Sequence, residues 1–232
     1  MKYARGIDVS RWQGSIDWFD PDLHDVEFVY VKLADGIKRA KNGAQHMDYA
    51  HGACFLTGPY HLWQPPDKCS GQAQARNMLA RLPRWYGRGC LPPALDIETC
   101  MIDRLPSAEE DVFSMIQWAH AMRNQLRVRP VLYISPRGIR HLERESAGIA
   151  TKLPAHFDLW CCDYDRLDGV LPRAGETPGP IAPWDCWRFW QYTSSLDGGL
   201  HGMESSRLDG NLFNGTMHTL YHWYESCWDW KD

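Results

Sequence analysis

Eight short apolar runs punctuate this chain, and the first five are parted by stretches of helical character. Residues 6–10, 28–33, 56–63, 91–98 and 130–135 each have the length and content of a buried strand. Residues 158–162, 187–192 and a short run at 207–209 follow. Ser107 with Glu110 forms a capping box, and Val112, Met115, Ile116, Ala119 and Leu126 then fall on one helical stripe. Residues 72–82 read as a second helix, stopped by Pro83, with weaker ones at 45–54 and 136–145. Repetition of strand and helix predicts a parallel sheet with right-handed crossovers, an α/β architecture. Eight strands predict closure into a barrel of the TIM type. The helical pattern stops after residue 150, so loops or hairpins are expected to join the last strands.

The 232 residues are 44% apolar, enough for one large domain with its own core. A formal charge of −4 offers no electrostatic basis for nucleic-acid binding. No apolar run approaches the ~20 residues that span a bilayer, so no membrane insertion is expected. The first strand begins without a preceding apolar segment, so no secretory signal is expected. Eight cysteines include no Cys-x-x-Cys pair, which disfavours zinc, and reduced thiols are expected, with a few disulfides as the alternative. Twelve tryptophans suit either a large core or flat platforms for sugar rings, and composition does not choose between them. Residues 163–186, rich in Pro, Gly and Asp, read as a long surface loop.

The fourth run ends in Leu95-Asp96-Ile97-Glu98. Acids at i and i+2 on a strand point to one face. An acid-catalysed hydrolase needs such a pair, one carboxyl protonated beside an ionised neighbour, and Glu98 is expected to be partly buried with Asp96. In barrels of this kind the chemistry sits at the C-terminal ends of the strands. Asp8 falls there, as do Tyr133, Ser135, Asp209 and Asn211. The aromatics Tyr60, Trp63, Trp160, Trp190 and Tyr192 are placed at the same rim. Acids ringed by tryptophan and tyrosine fit a polysaccharide cleft. No Gly-x-Ser-x-Gly elbow, P-loop or Gly-x-Gly-x-x-Gly occurs. A metal site built on Asp8, His61 and Asp96 is the competing arrangement.

Taken together, the motifs resemble one known family, the family 25 glycoside hydrolases, the cellosyl-type lysozymes of bacteria and phages. They are Gly6-Ile7-Asp8-Val9-Ser10-Arg11-Trp12-Gln13-Gly14, Lys32-Leu33-Ala34-Asp35-Gly36, Gly58-Pro59-Tyr60-His61 and Leu95-Asp96-Ile97-Glu98. Leu132-Tyr133-Ile134-Ser135, Leu159-Trp160, Trp190-Gln191-Tyr192-Thr193-Ser194 and Leu208-Asp209-Gly210-Asn211 complete the set, in the family's order. The resemblance implies a flattened TIM-like barrel, (β/α)5(β)3, over residues 1–215, leaving 216–232 as an aromatic tail packed on it. It implies an N-acetylmuramidase that cleaves the β-1,4 bond after N-acetylmuramic acid in peptidoglycan glycan strands, with retention. Glu98 matches the general acid, Asp96 the acid beside it, and Asp8 and Asp209 two further cleft acids. Tyr60, Tyr133, Trp160, Trp190 and Tyr192 match substrate-binding aromatics. No cofactor and no metal are implied, and a monomer is expected.

A phage endolysin suits the missing signal: made in host cytoplasm and acting on the cell wall after release, with an extracellular enzyme as the alternative. The long loop at 163–186 is expected to reshape one end of the cleft. The other function class is a non-catalytic barrel that holds cell-wall glycan without cutting it, against which four intact acids argue.

Overall fold

The computed structural model describes residues 3–98, 108–164, 170–173 and 175–228. The strands in chain order are β1 (Ala4–Val9), β2 (Phe28–Asp35), β3 (Lys38–Arg39), β4 (Leu56–Leu62), β5 (Ala94–Ile97) and β6 (Val131–Ile134). β7 (Asp158–Cys162), β8 (Phe189–Leu196) and β9 (Leu208–Phe213) follow. The helices are α1 (Gly43–Gly52), α2 (Gly71–Leu79), α3 (Ala108–Leu126), α4 (Pro136–Glu145) and α5 (Met217–Cys227).

The sheet order is β1-β9-β8-β7-β6-β5-β4-β2-β3, and a β1–β2 pairing closes eight of these strands into a barrel. Pairs from β1 through β2 and β4 to β8 are parallel. β9 runs antiparallel to both β8 and β1, and β3 is a two-residue flap on β2. The α/β barrel expected from the sequence is therefore the fold. The first crossover differs from its neighbours, since 3-10 turns at Arg11–Gln13 and Pro21–Asp25 stand where an α-helix follows each of β2, β4, β5 and β6. β5 is shorter than its apolar run, because Pro92 and Pro93 carry no N–H for the ladder. The Ser107 cap lies outside the described residues. Ser70 and Ser135 cap α2 and α4 by accepting from Ala73 N–H and Gly138 N–H. Gly71 lets α2 lie directly on α3, for a Cβ there would run into the Ser114 carbonyl.

Aromatic rings fill the barrel. Phe189 packs 5.1 Å from Phe28 and 5.5 Å from Tyr30, and Tyr30 lies 4.6 Å from Trp160. Helix α5 seals the end where the parallel strands begin. Its Trp223 packs against Phe189 and Phe213 at 5.2 and 5.6 Å, and the indole N–H donates to Asp158 Oδ2 at 3.1 Å. Arg129 and Arg188 flank the other oxygen of Asp158 at 3.5 and 3.8 Å. With this floor closed, the polar cleft opens at the other end.

Candidate active site

The site is assembled by sheet register. Asp8 on β1 stands directly opposite Asp209 on β9. Asp96 on β5 is level with Tyr133 on β6, which is level with Trp160 on β7. Side chains level with one another on adjacent strands share a face, and here that face is the barrel interior. Asp8, Asp96, Asp209 and Glu98 line one cleft of about 210 Å³ together with Tyr60, Tyr133 and Trp160.

The acids differ in surroundings. Asp8 is buried, and its Oδ2 accepts from Gln191 Nε2 at 2.8 Å and Asn211 Nδ2 at 2.7 Å. Burial raises its pKa to about 6 against the pull of those two hydrogen bonds. Asp209 is pushed to about 8, first by burial and then by Asp8 across the strand pair. Asp96 is 9% exposed, and its Oδ1 has no hydrogen-bond partner. Burial drives its carboxyl well above the usual range, the Glu98 charge adds to this, and Lys32 opposes it. The burial expected of Glu98 belongs to Asp96: β5 ends at Ile97, and Glu98 beyond it is exposed. The buried Tyr60 and half-buried Tyr133 are phenols beside these acids whose pKa desolvation raises, and they stay protonated.

Residues 7–199 match the family described as glycosyl hydrolases family 25. The chain belongs to that family. It is 28% identical to Lysozyme M1 of Streptomyces globisporus over 228 residues, covering 94% of this chain and 70% of the relative. Its fold resembles the bacterial lysozyme from Streptomyces coelicolor, with a TM-score of 0.79, 23% identity and coverage of 98% and 99% of the two chains. The family GH25 lysozyme from Aspergillus fumigatus gives 0.75, 23% identity and coverage of 96% and 99%.

Two expected contacts are absent from the cleft of this family 25 hydrolase. Trp190 and Tyr192 flank Gln191 on β8, and a strand turns alternate side chains to opposite faces. Tyr192 sits at a bulge in the β8–β9 ladder and is buried outside the cleft lining, and since Gln191 points inward to Asp8, Trp190 before it points outward. There Trp190 donates to the Asp163 carbonyl at 2.7 Å and packs on Trp187. The same alternation removes the competing metal site. Tyr60 faces the cleft, whereas His61 turns to the helix layer and accepts from Trp118 Nε1 at 3.1 Å. Burial lowers its pKa to about 3. Among the described residues no group of three histidine, cysteine or acidic side chains is arranged to hold a metal.

Sequence reasoning missed Ser10, Trp12, Lys32, Tyr164 and Gln191, all of which line the cleft. Lys32 had a signal, a lone cation inside an apolar strand. Gln191 had another, an amide between two aromatics. Tyr164 sits two residues beyond β7, where no periodicity marks it. Trp12 is 71% exposed, with the Arg11 guanidinium 4.4 Å over its ring.

Proposed function

We propose that this hydrolase cuts peptidoglycan at the β-1,4 bond between N-acetylmuramic acid and N-acetylglucosamine, with retention at the anomeric carbon. The observation that carries the reading is the acid pair at the end of β5, with Asp96 buried and Glu98 exposed on a cleft that also presents Asp8 and Asp209. Burial of Asp96 and the Glu98 charge beside it oppose ionising both acids at once, so the pair enters the reaction sharing one proton, which in the reactive form sits on Glu98 while Asp96 is the carboxylate. Glu98, the exposed member, is the group that a glycosidic oxygen in the cleft reaches, and it acts as general acid. Asp96 lies on β5 and Glu98 one residue beyond its end, and on extended backbone such a spacing, with Cα atoms about 6.5–7 Å apart, lets the carboxyls approach to about 5–6 Å, close to the retaining separation. Asp96 then attacks the anomeric carbon or orients the substrate's acetamido oxygen to do so. Trp12 offers its open face to a sugar ring. The lysozyme names of the relatives support the choice of polymer.

The test is mass analysis of fragments released from purified cell walls, with proton NMR of fresh product from a defined glycan. Fragments ending in N-acetylmuramic acid, with the β-anomer appearing first, are expected. Ends bearing N-acetylglucosamine, or an α-anomer first, would overturn the bond or the stereochemistry. Wall binding without any release would establish the non-catalytic barrel.

A further inference from the structure

Beneath the acids lies a closed hydrogen-bond chain that the chemistry above does not use. Tyr133 OH donates to Gln191 Oε1 at 2.6 Å, and Gln191 Nε2 donates to Asp8 Oδ2 at 2.8 Å. From the other side, Trp160 Nε1 donates to Asn211 Oδ1 at 2.8 Å, and Asn211 Nδ2 donates to the same Asp8 oxygen at 2.7 Å. Gln191 and Asn211 are register partners across β8 and β9, so both amides arrive side by side.

An amide can present either its oxygen or its nitrogen, and only the nitrogen is useful to a carboxylate. An indole N–H can only donate, so Trp160 forces the oxygen of Asn211 toward itself and the NH2 toward Asp8. The Tyr133 hydroxyl, by donating to Gln191 Oε1, favours the matching orientation there, and a flipped amide would also set its oxygen against the carboxylate. All five side chains are at least largely buried, so little water competes.

We propose that Gln191 and Asn211 are positioning residues that hold Asp8 as the fixed, ionised carboxylate of the cleft, and that Tyr133 and Trp160 lock the two amides in the required orientation. The role of that charge, beside an oxocarbenium-like centre, rests on the function proposed above; the lock itself does not. Tyr133 and Trp160, whose rings line the cleft, thus also act through their polar atoms. The other groups around Asp8 are Lys32 from β2, Tyr60 from β4, Asp96 and Glu98 beyond it from β5, Cys162 from β7 and Asp209 from β9. Lys32 is the single cation among them, and it lies 3.8 Å from Asp35. The two amides donate to the Asp8 carboxylate, and this distinguishes it from Asp96, whose Oδ1 has no hydrogen-bond partner.

Carbon-13 NMR of aspartate carboxyls, with Asp8 assigned through Asp8→Asn, reads the lock without any substrate. In Gln191→Met the Asp8 midpoint is expected to rise by about one pH unit, the size of one lost charge-assisted hydrogen bond. Tyr133→Phe leaves Gln191 and Asp8 in place and is expected to raise the midpoint by less, which keeps the test valid if Gln191→Met folds poorly. Midpoints unchanged in both variants would overturn the lock. The acid limb of kcat/KM for wall lysis should move up with the midpoint. A moved midpoint with an unmoved limb would uphold the lock and remove Asp8 from the proposed chemistry.

Discussion

Asp8 and Asp209 face each other across one strand pair, and like charges directly opposite destabilise a sheet. Burial first, and the Asp8 charge second, make Asp209 titrate late, from 3.8 in an open chain to about 8 in the fold. Between those values the folded protein binds more protons than the unfolded chain, so stability falls as pH rises through this window. Asp209→Asn removes the titration. It is expected to melt with wild type near pH 4 and above it near pH 8, with the gap widening between. A gap equal at both ends, in melting curves against pH, would assign the effect to packing instead. Glu98→Gln is expected to lower lysis by about 100- to 10,000-fold with the fold intact by circular dichroism. Wild-type-like turbidity loss by the folded variant would sink its role as acid. Trp12→Ala, at an exposed ring, is expected to raise KM with kcat little changed, read from initial rates on soluble glycan fragments.

At the scale of elements, α5 is the floor of the barrel rather than an appendage. Its Trp223 is wedged against Phe189 and Phe213 and tied to Asp158. Trp223→Ala is expected to cost about 3–5 kcal/mol, measured by urea unfolding followed by far-UV circular dichroism. A cost below about 1 kcal/mol would mean that the ring is replaceable cover. The strands were legible because runs such as 28–33 and 158–162 are apolar enough to be buried on both faces. That same property hid which face is which. Over residues 189–192 of β8 only Gln191 interrupts the aromatic run, and its hydrogen bond to Asp8 turns Trp190 away from the cleft. The two-residue β3 is exposed and apolar nowhere, so nothing in the sequence announced it. Asp96 and Glu98 were found by spacing alone. Their unequal burial depends on where β5 ends, and strand ends are set by tertiary pairing.

For the whole molecule, closure carries what cross-links do in smaller domains. Cys54, Cys69, Cys90, Cys161, Cys162, Cys186 and Cys227 are all free thiols. The melting temperature is expected to be the same with and without reductant, and a drop of several degrees on reduction would overturn this. Alkylation of the native protein should reach the exposed Cys54 and Cys186, and reach Cys161 and Cys227 only after unfolding, because burial drives those two thiols far upward. Closure also explains why the site was only partly legible: Asp8 and Asp209 are 201 positions apart, and only the β1–β9 pairing makes them neighbours.

The reversed direction of β9 has a consequence for handling the enzyme. The strand carries the chain from the acid rim back to the floor, where the Ala4 N–H meets the Gly215 carbonyl at 2.7 Å. Trp228, the last described residue, pairs there with Val128 and donates to the Cys90 carbonyl. A tether attached near residue 3 or residue 228 would grip the molecule by its blind side. Immobilised that way on a bead or film, every copy would present an open mouth to the polymer in solution.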